Sequence, residues 1–195
     1  SVNTVVNSGG RLVGYTTDGD GALRALAAAG LEIKSRRVTI VGTGGAARAV
    51  AFALASAGCG PLTLVGVECD QMEELAGDLA AAGREVKAFV AGSKDAEQAI
   101  VAADLIVNCS PLGMHPNVNE TPVSARLMHE GQGAFDVVYN PMETRFLREA
   151  REAGCKVVSG VEMFVGQAAA QFELWTGKDA PLDEMRLVVV EALGD

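Results

Sequence analysis

The chain has 195 residues, a formal net charge of −9 and a hydrophobic fraction of 49%. This length suits one sizeable domain with a proper core. The acidic balance argues against a nucleic-acid or anionic-membrane surface, and we find neither an apolar segment of transmembrane length nor a signal-peptide pattern. Many alanines and valines with only 5% aromatic residues favour helices packed closely on a parallel sheet over a β-sandwich.

The cysteines and histidines do not form a recognisable metal or disulfide pattern. The four cysteines are widely spaced, and the two histidines, His115 and His129, have no ligand partner at a useful spacing. We therefore predict no metal site, reduced thiols in a cytoplasmic protein, and surface or loop positions for both histidines.

The chain opens at Ser1 rather than Met, in a segment (1–6) that is typical of a strand already under way, so we expect a fragment. A turn at 7–11 and a return strand at 12–15 would complete a hairpin. The polar stretch 16–21 is predicted as a loop, and a helix is predicted over 22–29 with Asp20 or a neighbour as its cap.

The most informative stretch is the strand-like segment Val38–Val41, which runs into a glycine-rich turn and then into an Ala-rich helix predicted over 46–57. Gly42 would allow a sharp turn, and Gly44 would let the backbone approach a phosphate without a Cβ in the way. The free N–H groups at the helix N-terminus would then face the anion. A strand, glycine turn and helix start in this order predict a dinucleotide site, and a purely structural turn is the alternative.

The rest of the chain alternates between strands and helices. Strands are predicted at 62–65, 85–90, 105–108, 133–139 and 155–159, and helices at 69–82, 94–102, 144–153, 163–176 and 182–193. This order predicts an α/β fold with a doubly wound, Rossmann-like parallel sheet and right-handed crossovers. Ligands in such sheets bind beyond the carboxyl ends of the strands, so the loops after Val41, Val65, Asn108 and Tyr139 should share one crevice.

Single features of these loops are weak signals. Asp18 alone would be a turn or cap residue, and Asn140-Pro141 alone a simple turn. Together, however, six motifs in order resemble the shikimate dehydrogenase family along the whole chain. They are Val2-Asn3-Thr4, Thr17-Asp18-Gly19, Gly42-Thr43-Gly44-Gly45-Ala46-Ala47-Arg48, Asn108-Cys109-Ser110-Pro111-Leu112-Gly113-Met114, Asp136-Val137-Val138-Tyr139-Asn140-Pro141, and Gly160-Val161-Glu162-Met163 through Gln167-Ala168.

The resemblance implies the NADPH-dependent reduction of 3-dehydroshikimate to shikimate, a step towards the aromatic amino acids. By resemblance, Asn3 would bond a substrate hydroxyl and Asp18 would be half of a lysine–aspartate catalytic pair. Tyr139 and Gln167 would line the substrate end of the cleft. The implied cofactor-binding residues are Gly42, Thr43, Gly44, Gly45 and Ala46 of the glycine turn, with Asn108, Ser110, Met114, Gly160 and Met163.

One departure from the family is that its N-terminal lobe is absent from this sequence. In the family, that lobe carries the catalytic lysine and a substrate-binding serine pair. We interpret residues 1–18 as a remnant of that lobe and residues 19–195 as the dinucleotide-binding domain, whose C-terminal helices would pack on the lobe. None of the five lysines lies in a motif that matches the catalytic one, so this chain by itself should be close to inactive. The face left by the lobe could drive association, for example into a homodimer.

A second departure concerns the cofactor. NADPH-using members usually have an Asn-Arg-Thr sequence after the second strand, whereas this chain has Gly66-Val67-Glu68. Val67 cannot pair with a 2′-phosphate, and Glu68 would repel it or accept a hydrogen bond from a ribose hydroxyl. This favours NAD over NADP, or weak cofactor binding altogether, although Glu68 could also be a solvated loop carboxylate. Arg48 is expected to lie against the adjacent loop and is not a clear substitute for the arginine.

The leading hypothesis is therefore the cofactor-binding portion of a shikimate dehydrogenase, or of an NAD-using quinate/shikimate relative. The alternative from another class is a non-catalytic dinucleotide-binding module that keeps the fold without the chemistry. A methylenetetrahydrofolate-type dehydrogenase fits less well, because it does not account for the Thr17-Asp18-Gly19 and Met163–Gln167 segments together.

Overall fold

The computed structural model describes residues 2–194, so Ser1 of the predicted opening strand and Asp195 lie outside it. The strands are β1 (Thr4–Ser8), β2 (Arg11–Tyr15), β3 (Val38–Val41), β4 (Leu62–Gly66), β5 (Val86–Val90), β6 (Leu105–Asn108), β7 (Gly133–Asp136) and β8 (Lys156–Val158). The helices are α1 (Asp18–Ala28), α2 (Gly45–Ser56), α3 (Cys69–Ala81), α4 (Lys94–Ala102), α5 (Arg145–Glu152), α6 (Gly160–Thr176) and α7 (Leu182–Gly194), and a 3-10 turn spans Ala125–Leu127.

Strands β3 to β8 form one parallel sheet in the order β5-β4-β3-β6-β7-β8. The chain moves outwards from β3 to β5, then returns to the other side of β3 and continues from β6 to β8. The direction therefore reverses between β3 and β6, which pair with Val41 opposite Asn108. This confirms the predicted doubly wound sheet, and a crevice opens at such a reversal.

The core lies in two layers, because alternate residues of each strand point to opposite faces of the sheet. On β3, Val38 and Ile40 pack in the layer that contains α1, α2 and α3. Val41 of the same strand packs in the layer of α4 and α5, where Ile100 and Phe146 are also buried. Both faces of the sheet are thus covered, as a parallel sheet requires.

The hairpin is confirmed, with β1 and β2 antiparallel, but the loop predicted at 16–21 is partly wrong. Helix α1 begins at Asp18, and Asp20 lies within its first turn instead of capping it. The helix includes two glycines because neighbours lie too close for side chains. A Cβ on Gly19 would lie 2.8 Å from the Cβ of Ala53, and one on Gly21 would lie 2.6 Å from the carbonyl oxygen of Met163. Close packing thus outweighs the poor helix propensity of glycine.

Two boundaries near the carboxyl edge also differ from the prediction. Strand β7 ends at Asp136 rather than at residue 139, because its pairing with β6 ends at the Asp136–Asn108 pair. Helix α6 begins at Gly160 rather than at residue 163, and a Cβ on Gly160 would collide with the carbonyl of Val138. Both changes shape the loop that follows β7.

Within the described residues, the helices lack the combined length and apolar character that crossing a bilayer requires. The predicted division between residues 18 and 19 falls inside α1, which packs against α2 and α6. That division and the packing of the C-terminal helices on a further lobe stay predictions.

Candidate functional site

The first glycine of the turn after β3 is required by the fold. Gly42 has a φ of 109°, in a region that side chains rarely adopt. A Cβ there would lie 2.7 Å from the carbonyl carbon and oxygen of Cys109, which follows β6. The two segments are also joined by the Cys109 N–H, which donates to the Val41 carbonyl over 2.7 Å. Gly42 thus brings the ends of β3 and β6 into contact.

The second glycine is not explained in this way. Gly44 precedes α2 as its cap with φ −76° and ψ −169°, which any residue can adopt. A Cβ on Gly44 would meet no atom within 4 Å. No side chain caps α2, and its first intrahelical bond runs from the Arg48 N–H to the Gly44 carbonyl. The N–H groups at this helix start therefore remain available to an anion.

Two cavities adjoin at this edge of the sheet. A cleft of about 460 Å³ is lined by Gly44, Gly45, Ala46, Cys109, Ser110, Pro111, Met114, His115, Val137, Val138, Tyr139 and Asn140. A smaller cavity of about 150 Å³ is lined by Asp18, Ala46, Val137, Tyr139, Gly160, Met163, Phe164 and Gln167. The two share Ala46, Val137 and Tyr139. The structure thus brings most of the predicted cofactor-binding residues beside the predicted substrate residues.

Asn3 and Asp18 belong to one hydrogen-bonded group, of which Asp18 lines the smaller cavity and Asn3 lines neither cavity. The Asn3 Nδ2 donates to Asp18 Oδ1 over 2.8 Å and to Thr17 Oγ1 over 3.1 Å. The Asn3 Oδ1 accepts from the Thr17 N–H over 3.0 Å, and Thr17 is fully buried. The start of the hairpin is thereby tied to the start of α1, which places an amide and a carboxylate side by side.

Sequence reasoning missed a neighbour of Tyr139. The ring of Tyr139 stacks on Phe164 of α6, with centroids 4.6 Å apart. Phe164 stands three residues before Gln167, about one helical turn, and both line the smaller cavity. That spacing is the signal in the sequence that could have found it.

Asn108 is placed differently from the other expected cofactor contacts. Its side chain is fully buried, with 0% exposure, and its polar atoms are occupied by protein partners. The side chain therefore lies behind the cleft wall and does not face the cavity. Close by, burial raises the pKa of the Cys109 thiol and raises that of the Asp136 carboxyl to about 6.

The loop after β4 does not line either cavity, although it was expected on the same crevice. Val67 is 75% exposed, and Glu68 is exposed immediately before α3. Gly66 must lack a side chain because a Cβ would lie 2.7 Å from the methyl group of Thr43. Thr43 of the glycine turn thus also lies against the end of β4.

The expectation that Arg48 lies against the adjacent loop is wrong. Its guanidinium pairs with Asp78 and lies 4.0 Å from Glu74, both on α3, and it sits 5.7 Å from the ring centre of Phe52. The carboxylates of α3 thus hold the Arg48 guanidinium in ion pairs on the surface of that helix. Among residues 2–194, moreover, no lysine lines either cavity.

Comparison with known proteins identifies the family. The model of the shikimate 5′-dehydrogenase C-terminal domain matches residues 160–189. The shikimate dehydrogenase (NADP(+)) of Moorella thermoacetica is 48% identical over 195 residues, which cover 100% of this chain and 66% of that protein. Its counterpart in Methanosarcina acetivorans is 47% identical over 194 residues, covering 99% of this chain and 69% of that protein.

A solved structure gives the same result. The crystal structure of shikimate 5-dehydrogenase from Listeria monocytogenes in complex with shikimate and NAD superposes with a TM-score of 0.92 and 32% identity, covering 97% of this chain and 68% of that one. The chain thus spans about two thirds of the length of these relatives. With a relative 47% identical along almost its whole length and a matching doubly wound fold, the chain belongs to the shikimate dehydrogenase family.

Proposed function

We propose that this chain carries the dinucleotide site and part of the substrate site of an NAD(P)-dependent shikimate dehydrogenase, which reduces 3-dehydroshikimate to shikimate. Relatives that bear this name align with the whole chain, and the Listeria monocytogenes structure holds both shikimate and NAD. The proposal makes the protein an oxidoreductase in which the cofactor carries the hydride. The chain's own residues hold and orient the two reactants.

The observation that carries this proposal is the open space beside Gly44. Neither the backbone conformation nor the packing requires glycine there, in contrast to Gly42. A side chain at position 44 would instead extend from the wall of the larger cleft, beside the uncapped start of α2. A glycine that neither conformation nor packing requires, at the wall of a cleft and beside a free helix N-terminus, supports a pyrophosphate site over a structural turn.

The smaller cavity supports the substrate half of the proposal. A polyhydroxylated acid needs several polar partners, because a buried hydroxyl without one costs about 1–3 kcal/mol. Asp18, which accepts from Asn3, offers a carboxylate at one end, while Gln167 and Tyr139 offer an amide and a phenol. Proximity to the larger cleft through Ala46 would place a bound ring next to the nicotinamide.

The test is calorimetric titration of the chain with NAD and with NADP. We expect saturable binding that Gly44→Asp weakens about 100-fold or more, since a carboxylate beside a phosphate costs several kcal/mol. Gly77→Asp is the matched control, because Gly77 is exposed on α3 and also has no atom within 4 Å of a Cβ. Equal binding by the wild type and Gly44→Asp would refute the proposed site.

The finer proposal is a preference for NAD. Val67 cannot pair with a 2′-phosphate, and the nearby cation Arg48 is held by Asp78 and Glu74. The exposed carboxylate of Glu68 adds negative charge beside the loop. The relatives named for NADP(+) do not support this preference, whereas the Listeria monocytogenes structure contains NAD. Tighter binding of NADP in the same titration would reject it.

A second candidate function is a dinucleotide-binding module without catalysis. It is favoured because none of the lysines among residues 2–194 lines either cavity. A lysine–aspartate pair with Asp18 would therefore need a lysine that does not belong to these cavity walls. Both candidates predict that this chain alone oxidises shikimate very slowly. They differ in substrate binding. The enzyme proposal expects shikimate to bind to the dinucleotide-loaded chain and to bind more weakly after Asp18→Ala, and the module proposal expects no binding.

Association of the chain is also a proposal. Helix α7 buries none of its residues in the described structure, and Leu187 and Val188 are 58% and 63% exposed. Val5 and Leu12 expose further apolar area on the hairpin. Exposed apolar area of this kind can drive homodimer formation. A monomeric sedimentation profile at high protein concentration would argue against it.

A further inference from the structure

Three buried polar side chains lie behind the wall of the larger cleft. Asn108 ends β6, Asp136 ends β7, and Thr144 precedes α5, and all three have 0% exposure. The Asp136 Oδ1 accepts from the Asn108 Nδ2 over 2.9 Å, and its Oδ2 accepts from the Thr144 hydroxyl over 2.6 Å. None of the three lines either cavity. They can therefore affect the cleft only through the residues that they hold.

The Asp136 carboxylate, at 2.9 Å, is the nearer of two acceptors that orient the Asn108 amide, and the Leu112 carbonyl, at 3.3 Å, is the other. An ionised carboxylate only accepts hydrogen bonds, so the NH2 group of Asn108 must face Asp136 and its oxygen must face away. That oxygen accepts from the Ser110 N–H over 2.9 Å and from the Ser110 hydroxyl over 2.6 Å. Ser110 lines the larger cleft. The orientation imposed by Asp136 is thus transmitted to a residue of the cleft wall.

The same carboxylate holds the opposite wall. The Asp136 Oδ1 also accepts from the N–H of Val138 over 3.0 Å, and Val138 lies in the loop that continues to Tyr139. The two loops are joined once more where the His115 N–H donates to the Asn140 carbonyl over 3.0 Å. The buried carboxylate of Asp136 therefore contributes, together with the His115–Asn140 bond, to holding the loops after β6 and β7 together.

We propose that Asp136 is a positioning residue for dinucleotide binding, which fixes Ser110 through the Asn108 amide and fixes Val138 directly. This inference rests on the proposed function of the cleft. Without the carboxylate, the Asn108 amide would keep only its 3.3 Å bond to the Leu112 carbonyl on that side. Its hold on Ser110 would loosen, and part of the ordering of Ser110 would then fall to the ligand at the ligand's expense. Asp136 touches no ligand in this role, since it is buried behind both loops.

The first readout is amide hydrogen exchange at Ser110 in the ligand-free protein. Asn108→Ala should speed this exchange because it removes the acceptor of the Ser110 N–H, and Asp136→Ala should speed it because it removes the nearer acceptor that orients Asn108. Asp136→Asn should leave it close to the wild-type rate, since an amide oxygen can accept from Asn108 and Val138 while its NH2 group donates to the Thr144 hydroxyl. Gln132→Ala is the control, because Gln132 is also a buried, hydrogen-bonded polar residue and lies just before the opposite end of β7.

The second readout is the dissociation constant for NAD or NADP, whichever the wild type binds more tightly. Asp136→Ala and Asn108→Ala should raise it about tenfold, the penalty of ordering one free backbone residue on binding. Gln132→Ala should lower the Tm and leave the dissociation constant unchanged. If Asp136→Ala does not fold, Asn108→Ala tests the same link with the carboxylate in place.

The outcomes separate the two proposals. Unchanged Ser110 exchange in Asn108→Ala, or faster exchange with unchanged affinity, overturns the role of Asp136 while the proposed function stands. Weaker affinity in Gln132→Ala as well would reduce the effect to general destabilisation and also overturns it. No binding by the wild type overturns the proposed function, and this inference with it.

Discussion

Replacing Gly42 by alanine tests whether the glycine turn holds β3 and β6 together. Alanine would have to adopt a φ of 109°, and its Cβ would lie 2.7 Å from the carbonyl carbon and oxygen of Cys109. The left-handed conformation costs about 1–2 kcal/mol. Moving packed backbone away from the new methyl group costs about 1–3 kcal/mol. The expected loss in the free energy of unfolding is therefore about 2–5 kcal/mol.

The assay is denaturant unfolding followed by circular dichroism, with Gly44→Ala measured in parallel. Gly44 has ordinary dihedral angles and an open Cβ position, so alanine in this helix-cap position should cost about 1 kcal/mol or less. A Gly42→Ala protein as stable as Gly44→Ala would refute the argument that the close approach of Cys109 requires glycine.

Two further predictions concern the cofactor loop and an exposed histidine. The double substitution Val67→Arg with Glu68→Thr should tighten NADP binding about 10- to 100-fold, which corresponds to the binding free energy of one charge-assisted hydrogen bond to the 2′-phosphate. Unchanged NADP affinity in calorimetry would show that this loop does not reach the phosphate. The His129 ring nitrogens lie 2.9 Å and 3.0 Å from the carbonyl oxygens of Glu130 and Val101, which raise the pKa of His129 above 6.5. The stabilisation of the fold by protonated His129 is therefore complete below about pH 6.5 and is lost as the pH rises through the folded-state pKa. The Tm difference between wild type and His129→Gln should accordingly shrink from about pH 5.5 to about pH 8.5. A Tm difference that stays constant with pH would contradict this.

The parallel sheet was predictable because local pattern and tertiary role agree in it. The apolar run Val38–Val41 followed by glycines and an Ala-rich stretch indicates strand, turn and helix by itself, and the structure has β3 and α2 within one residue of the prediction. The boundaries failed where packing opposes propensity. Gly19 and Gly21 predict a loop, yet both lie within α1. These helix positions are glycine because Ala53 and Met163 approach too closely for side chains.

The sequence by itself determined the fold class, the family and the residues that could form a cleft, because these depend on periodicity and on motifs in a fixed order. Only the tertiary structure decided what each residue does there. The motif predicts a sharp turn at Gly42 and an open approach at Gly44, but only the structure shows that the backbone of Cys109 is what requires Gly42. The motif predicts a cofactor contact for Asn108, but in the structure its side chain is buried and its amide donates to the carboxylate of Asp136. Such roles depend on contacts between residues 28 or more positions apart in the chain, and no local pattern records those distances.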